Sequence, residues 1–317
     1  MLQALAGCDV LIAHNVLSLH KNLALTASLF HLSQETRKPR LVAWHHDPAW
    51  NSPRYLAELH DGYPWDLLRT PWPGVRQVTI SDARQAEIAR LFQIPAGDIA
   101  VIPAGLDLSE FLNLHLDTYS LFKKLSLANS GPILLTPVRV TRRKNIELAL
   151  RILAELRHSF PSAALIVTGP PGPHNPSNVD YFDELVEQRA ALRLQGSAHL
   201  LAEFYPEGVP ESSIPDLYRL SDLLLLPSRE EGFGIPILEA GLSGLPIFCS
   251  DLPALKGLAD DRANYFNPDD SPVEIAASIA AYIHAHPTVQ MRMHVRQQYS
   301  WEGIYQMKIA PLLQELK

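Results

Sequence analysis

Short apolar runs alternate along this chain with segments in which apolar residues recur every three or four positions. The run at residues 223–226 is four leucines closed by Pro227, which is typical of a strand buried in a parallel sheet. Residues 146–160 instead repeat leucine and isoleucine at helical spacing, which predicts an amphipathic helix. Because strand and helix patterns alternate almost throughout, the sequence predicts an α/β protein with parallel sheets.

The predicted elements fall into two successive groups, and a chain of 317 residues is long enough for two domains. In the first group we predict strands at residues 9–13, 41–44, 75–80 and 99–102 and helices at 19–32 and 82–92. In the second group we predict strands at residues 133–136, 164–168, 199–202, 223–226, 246–249 and 264–266 and helices at 146–160, 180–194, 214–220, 235–242 and 272–284. Residues 288–317 are predicted to be helical with a break near residues 300–301.

Composition narrows the class of protein. A hydrophobic content of 47%, a charged content of 19% and no apolar run near 18 residues predict a globular protein without a membrane span, although peripheral membrane contact stays open. The net charge of −7 argues against a nucleic-acid partner. Two cysteines, Cys8 and Cys249, adjoin apolar runs, and with no signal peptide at the start they predict buried, reduced thiols and a cytoplasmic location.

The stretch Glu-Gly-Phe-Gly-Ile-Pro-Ile-Leu-Glu at residues 231–239 carries the clearest chemistry. It follows the leucine strand, so the pattern predicts a strand, a glycine-containing loop and the start of a helix. A helix N-terminus presents free backbone N–H groups and the positive end of a dipole, which suits a diphosphate. Its two carboxylates, Glu231 and Glu239, suit a ligand with several hydroxyl groups.

This stretch resembles the E-x7-E signature of the family-4 retaining glycosyltransferases. Upstream, the sequence Arg-Val-Thr-Arg-Arg-Lys at residues 139–144 resembles the arginine and lysine pair of that family. The resemblance implies the GT-B fold, in which two Rossmann-like domains face a cleft. It implies an N-terminal acceptor-side domain at residues 1–120, a donor-binding domain at 121–295 and a C-terminal helix at 296–317 that crosses back to the first domain.

The resemblance also implies site residues. Arg139 and Lys144 would bind the donor diphosphate, where fixed cations stabilise the departing negative charge. Glu239 would bind the nucleotide ribose and Glu231 the transferred sugar, while Gly232, Phe233 and Gly234 would bring backbone N–H groups close to the donor. For residues 142–144 the alternative is a solvated helix start. Gly169 would leave room for the nucleotide, or it is a plain strand-end turn.

In the first domain the resemblance calls for a histidine facing the donor sugar, and either His45 or His46 matches that position. Adjacent residues of a strand point to opposite faces, so the sequence leaves the choice open. A metal site at His14, His45, His46 and Asp47 is the weaker interpretation, since no i, i+4 histidine pair is present. The long segment at residues 48–73 is rich in aromatic residues, which either stack on an acceptor or pack the segment itself.

One feature departs from the family pattern. The chain opens on a predicted helix at residues 1–7 and an apolar strand suited to the centre of a sheet, so about three strands of the usual first domain are missing. We therefore expect the first domain to be incomplete and its sheet edge to favour self-association. The expected function is a retaining, hexosyltransferase-type glycosyltransferase without a cofactor, acting on a nucleotide-sugar donor and a sugar, lipid or small-molecule acceptor. The alternative is a nucleotide-binding remnant without transferase activity.

Overall fold

The computed structural model of the chain describes residues 5–35, 39–172 and 177–316. These residues form two compact units, one with the residues up to Gly105 and from Ile304 onward, the other with Leu106–Gly303. The first boundary falls inside the Pro-Ala-Gly-Leu-Asp sequence at residues 103–107. Each unit is a parallel sheet with helices packed on it, so the predicted α/β class is confirmed.

The first unit contains a four-stranded parallel sheet in the order β1-β2-β3-β4. The strands are β1 (Val10–His14), β2 (Arg40–His45), β3 (Arg76–Thr79) and β4 (Ile99–Val101), and the helices that follow β1 and β3 are α1 (Leu23–Glu35) and α2 (Asp82–Phe92). Leu29 of α1 and Leu41 of β2 belong to the core on one face of the sheet, and Val42 and Val78 belong to the core on the other. Both faces are therefore covered, as a parallel sheet requires.

The apolar strand β1 has a pattern suited to the centre of a sheet, but it lies at the edge of the described sheet, as expected for the first domain. β1 pairs with β2 in the register Val10↔Arg40 to His14↔Trp44 and, in the part of the chain that the structure describes, with no other strand. Its apolar residues face two cores, because Leu11 packs on one face and Ile12 on the other. Self-association through this edge stays a prediction. Of the helix predicted at residues 1–7, residues 5–7 form a turn and residues 1–4 lie outside the described residues.

The aromatic segment between β2 and β3 folds as three short 3-10 turns at Ala49–Asn51, Pro53–Glu58 and Trp65–Leu68. Trp72 is buried and donates a hydrogen bond from Nε1 to the Leu67 carbonyl at 3.0 Å. The Arg69 guanidinium lies 4.1 Å from the ring centroid of Trp50. These two tryptophans therefore pack the segment itself, whereas Tyr63 is exposed.

The second unit contains a six-stranded parallel sheet in the order β10-β9-β8-β5-β6-β7. Its strands are β5 (Ile133–Thr136), β6 (Ala164–Val167), β7 (Ala198–Leu200), β8 (Leu223–Leu226), β9 (Ile247–Ser250) and β10 (Asn264–Phe266). Its helices are α3 (Leu108–Phe111), α4 (Leu116–Lys124), α5 (Ile146–Ser159), α6 (Ser177–Ala191), α7 (Ser213–Leu220), α8 (Ile235–Leu242), α9 (Pro253–Ala259), α10 (Pro272–Ala285) and α11 (Pro287–Tyr299). All four residues in each of β5, β6, β8 and β9 are buried, which explains why these strands are apolar apart from Thr136 and Ser250 at two of their ends.

The break predicted near residues 300–301 is confirmed. Helix α11 ends before Ser300, and the chain continues as α12 (Trp301–Ile304), a π-helical turn (Tyr305–Ile309) and α13 (Ala310–Glu315). None of the helices in the described residues is long and apolar enough to cross a bilayer.

The two thiols differ in their surroundings, and the prediction was wrong for one of them. Cys8 is exposed because it precedes β1 and lies outside the strand, whereas Cys249 is buried within β9. Burial raises the pKa of the Cys249 thiol to about 12, so this group stays protonated at neutral pH.

Candidate functional site

The candidate site lies at a defined point of the second sheet. The chain adds β6 and β7 on one side of β5, then returns to place β8, β9 and β10 on the other side. The loops after β5 and β8 therefore leave neighbouring strands in opposite directions, and β5 pairs directly with β8 at Leu134↔Leu223 and Leu135↔Leu224. Open α/β sheets bind ligands at such a switch point, at the carboxyl ends of the strands.

A buried ion pair joins these two loops. Lys144 ends the 3-10 turn Arg142–Lys144 after β5, and its Nζ lies 2.5 Å from Oε1 of Glu231 in the loop after β8. The side chains are 11% and 6% exposed. Ser228 donates its hydroxyl to the same carboxylate oxygen at 2.7 Å. Lys144 and Glu231, predicted separately as donor-binding and catalytic residues, are thus direct partners in a charge-assisted hydrogen bond.

Backbone contacts fix the same two loops. The N–H of Arg229 donates to the carbonyl of Arg143 at 2.8 Å. Asn145, which follows Lys144, adopts a left-handed conformation with φ of 52°, which asparagine tolerates better than most residues, and it directs the chain into α5. Residues 142–144 are therefore a turn between strand and helix, and only Lys144 of the three is buried.

Arg139 contrasts with Lys144. Its side chain is exposed and, among the residues that the structure describes, makes no hydrogen bond or ion pair. It lies just beyond the carboxyl end of β5, so its guanidinium is free to bind a ligand at the switch point.

Gly169 has a packing role that neither sequence interpretation named. A Cβ there would lie 2.3 Å from the Val138 carbonyl oxygen and 2.5 Å from the Arg139 Cα. The close approach allows the Gly169 N–H to donate to the Val138 carbonyl at 3.0 Å and the Val140 N–H to the Pro170 carbonyl at 2.9 Å. The space beside Gly169 is therefore filled by the loop that carries Arg139, and the glycine positions that loop.

The loop from Gly232 to Gly234 opens helix α8. Gly234 precedes the helix with φ of 102°, a conformation that favours glycine, and a Cβ there would lie 2.6 Å from Cδ2 of Leu255, so that side chain would have to move. Gly232 has open space around its Cα, and Phe233 is exposed. The N–H groups of all three residues donate no hydrogen bond to any described residue. They are therefore free for an anionic ligand.

Glu239 lies one turn into α8 and is held from one side. The hydroxyl of Tyr218, a buried residue of α7, donates to Oε2 of Glu239 at 2.6 Å. Burial and the neighbouring Glu239 raise the pKa of the Tyr218 hydroxyl, so it remains a donor. Because Tyr218 bonds to one oxygen, the other oxygen of Glu239 is available to a ligand hydroxyl. The sequence offered no signal for Tyr218, which is 21 residues from its partner.

The structure separates the two candidate histidines of the first unit. His45 is 1% exposed, its Nε2 lies 2.7 Å from Oε1 of Gln77, and its ring packs edge-on against Phe92. His46 follows the strand, is half-buried, and places Nε2 3.2 Å from Nδ1 of His14. His45 is therefore enclosed in the core, and His46 is the one at the carboxyl edge of its sheet.

The Asp47 carboxylate accepts hydrogen bonds from Nδ2 of Asn15 at 3.3 Å and from the Arg54 guanidinium at 3.4 Å. In the described ranges, no group of three or more histidine, cysteine or carboxylate side chains could hold a metal ion.

Comparison with known proteins identifies a family whose model this chain matches. Residues 117–298 match the family model described as "Glycosyl transferases group 1", which covers more than half of the chain. The chain is 31% identical over 188 residues to a D-inositol 3-phosphate glycosyltransferase of Nocardia farcinica, covering 58% of this chain and 39% of that protein. It is 25% identical over 271 residues to a mannosylglucosylglycerate synthase of Petrotoga mobilis, covering 78% and 60%. The chain thus matches less than two thirds of the length of either relative.

Among solved structures, HepE of Anabaena in complex with UDP aligns with a TM-score of 0.46 at 22% identity, covering 92% of this chain and 82% of that one.

Because Lys144 belongs to a buried ion pair, we expect its removal to lower the free energy of unfolding more than removal of a surface arginine from the same turn. Replacing Lys144 by methionine leaves the Glu231 carboxylate buried without its cation, so we expect the free energy of unfolding to fall by about 3 kcal/mol. Adding Glu231→Gln to that variant should restore part of the loss, by about 1 kcal/mol or more. Denaturant unfolding of the single and double variants measures both effects.

Arg142 of the same turn supplies the matched control. It pairs with Glu184 at the surface, where both side chains are more than half exposed. Arg142→Met should therefore leave the unfolding free energy nearly unchanged. Equal losses for Lys144→Met and Arg142→Met would contradict the role given to the buried pair.

His45 predicts a pH dependence of stability. Burial lowers its pKa from 6.5 to about 4, so the folded protein keeps the neutral ring while the unfolded chain takes up a proton below pH 6.5. The stability contributed by the neutral ring is full above pH 6.5 and is lost as the pH falls toward 4. In His45→Gln, which can still bond to Gln77, the loss over this range should be smaller by about 2 kcal/mol. Urea unfolding at several pH values tests this, and identical pH profiles would refute it.

Proposed function

We propose a donor and a reaction for this chain, which belongs to the group 1 family of glycosyl transferases. The proposed reaction moves a sugar from a nucleoside-diphosphate sugar to an acceptor with retention of configuration at the anomeric carbon. The observation that carries the proposal is the meeting of Lys144 and Glu231 at the switch point, beside the free N–H groups that open α8. Cations and oriented N–H groups at the carboxyl ends of strands form a site for a diphosphate.

In the proposed complex the diphosphate lies between the loops after β5 and β8. Arg139 is free to form a planar, two-bonded contact with phosphate oxygens, and Lys144 supplies a fixed positive charge at the base of the site. Negative charge grows on the leaving diphosphate as its bond to the sugar breaks. Cations fixed by the fold stabilise that charge more strongly in the transition state than in the ground state.

The two glutamates, Glu231 and Glu239, would bind different parts of the donor. The available oxygen of Glu239 would accept a hydrogen bond from a ribose hydroxyl, with Tyr218 keeping the carboxylate in place. Glu231, oriented by Lys144 and Ser228, would accept hydroxyl groups of the sugar. The sugar would then be held with its anomeric carbon next to the diphosphate oxygen that leaves.

The resemblance to retaining enzymes favours transfer on one face of the sugar. The acceptor oxygen forms the new bond to the anomeric carbon on the side from which the diphosphate leaves. The bond between the anomeric carbon and the diphosphate oxygen breaks, and its electron pair stays on that oxygen. The proton of the acceptor hydroxyl then passes to the same oxygen. The proposed transfer consumes no cofactor. We assign His46 the supporting role at the sugar, because His45 is enclosed in the core.

A nucleotide-binding protein without transferase activity is the second candidate. It is favoured by the first unit, where β1 has a free edge in the described part of its sheet. A screen with UDP, GDP, ADP and their sugars separates the two functions, since a ligand that binds the folded chain raises its thermal midpoint. Release of nucleoside diphosphate together with a glycosylated product supports the transferase. Stabilisation without release, across a panel of acceptors, supports the second candidate.

Arg139 gives the sharpest test of the donor site. Because Arg139 has no partner among the described residues, Arg139→Ala should leave the fold intact and remove a charge-assisted contact with the diphosphate. We expect the affinity for the stabilising nucleotide to fall by about tenfold or more in calorimetry.

The matched control is Arg151→Ala, which removes an exposed arginine from α5. Its nucleotide affinity should equal that of the unmodified chain. An Arg139→Ala variant with unchanged affinity would reject the proposed diphosphate site.

A further inference from the structure

A cavity in the second unit, Leu106–Gly303, shares no residue with the loops of the candidate donor site. It has a volume of about 420 Å³ and lies among α3, α7 and α11. This volume is in the range of small-molecule sites. Most of its wall is apolar, formed by Leu108, Phe111, Leu112, Leu220, Met291 and Val295.

The cavity leaves large apolar side chains open to water. Phe111 is 73% exposed and Met291 57% exposed. Large exposed apolar patches mark sites of interaction. The wall offers few acceptors for a polar ligand such as a sugar, so an occupant would need a long apolar part.

Positive charge is concentrated along one side of this cavity. Arg219, Arg292 and Arg296 all line it, and the carboxylates that face them are Asp216 and Asp222, both fully buried. Three guanidinium groups against two carboxylates leave a net charge of +1. A cavity that combines an apolar wall with one excess positive charge complements a ligand with a single negative charge.

The carboxylates are already occupied by other donors. Asp222 accepts from Arg296 and from the backbone N–H of Ile133, the latter at 2.7 Å. Asp216 accepts from Arg219 and from the backbone N–H of His115, the latter at 2.8 Å. Little acceptor capacity remains for a further cation.

Of the three arginines, Arg292 has the weakest contact with a carboxylate. Its Nε lies 3.6 Å from Oδ1 of Asp222, beyond hydrogen-bond distance, and it donates no hydrogen bond to any residue in the described ranges. Burial lowers its pKa, an effect that Asp222 offsets only in part. Nε of Arg219 is also buried without an acceptor there. An anionic group at the mouth of the cavity would accept hydrogen bonds from the partly exposed Arg292 guanidinium.

We propose that this cavity binds a single-chain amphiphile with one anionic head group, taken up as a monomer from solution. The head group, a carboxylate, accepts hydrogen bonds from Arg292. The chain lies along Leu108, Leu112 and Val295 and covers Phe111 and Met291 from water. Charge selects the head group, and burial of apolar surface supplies the affinity.

Calorimetry with dodecanoate below its micellar concentration tests the proposal on the full chain. We expect saturable binding of one dodecanoate, and no binding of dodecyltrimethylammonium, whose head group has the opposite charge. Arg292→Met should weaken dodecanoate binding by about tenfold or more, because it removes the charged donor and keeps the length of the side chain. Arg262→Met, which removes an exposed arginine elsewhere in the unit, should leave the binding unchanged.

A second variant tests the chain-binding part. Val295→Phe fills the cavity and should also weaken dodecanoate binding, and thermal melts confirm that each variant is folded. Equal affinity for dodecanoate in the unmodified chain and in Arg292→Met would overturn the proposal. It would also be overturned if the chain sedimented with phosphatidylglycerol vesicles and did not bind monomeric dodecanoate, since the surface would then be a membrane contact.

Discussion

The candidate donor site depends on one buried contact, the ion pair of Lys144 and Glu231. Two charged groups with little exposure to water are tolerated only as partners, because either one alone would be a buried, uncompensated charge. The pair therefore fixes the loop after β5 against the loop after β8. The hydroxyl of Ser228 and the backbone bond from Arg229 to Arg143 strengthen the same junction. Apart from His46, the residues proposed to contact the donor lie on or beside these two loops.

Much of this fold could be predicted from sequence. β5, β8, β10, α2 and α8 have the predicted bounds, because each is a short apolar run or a helical pattern closed by proline, glycine or a capping residue. The apolar pattern of β1 does not by itself determine its place in the sheet. An apolar strand is expected both at the centre of a sheet and at an edge packed on two faces, and the pattern of the strand itself does not distinguish the two.

In the candidate site, too, the residues of a local motif could be predicted from sequence, whereas contacts between distant segments could not. The glycine loop and the two glutamates are local in sequence and were predicted, whereas the partner of Glu239, Tyr218, lies on another helix. The choice between His45 and His46 depended on which face of β2 meets Gln77 and Phe92. The need for glycine at position 169 came from the backbone at Arg139, a neighbour 30 residues earlier in the chain. These features are set by pairing of distant segments, which a single sequence does not specify.

The most direct test of the account is the structure of the chain with the nucleoside diphosphate that stabilises it. The account predicts the phosphates beside Arg139 and Lys144 at the carboxyl ends of β5 and β8. It predicts the ribose hydroxyls on the oxygen of Glu239 that Tyr218 does not bind. A nucleotide bound away from these loops, with the pair of Lys144 and Glu231 untouched, would contradict the central claim.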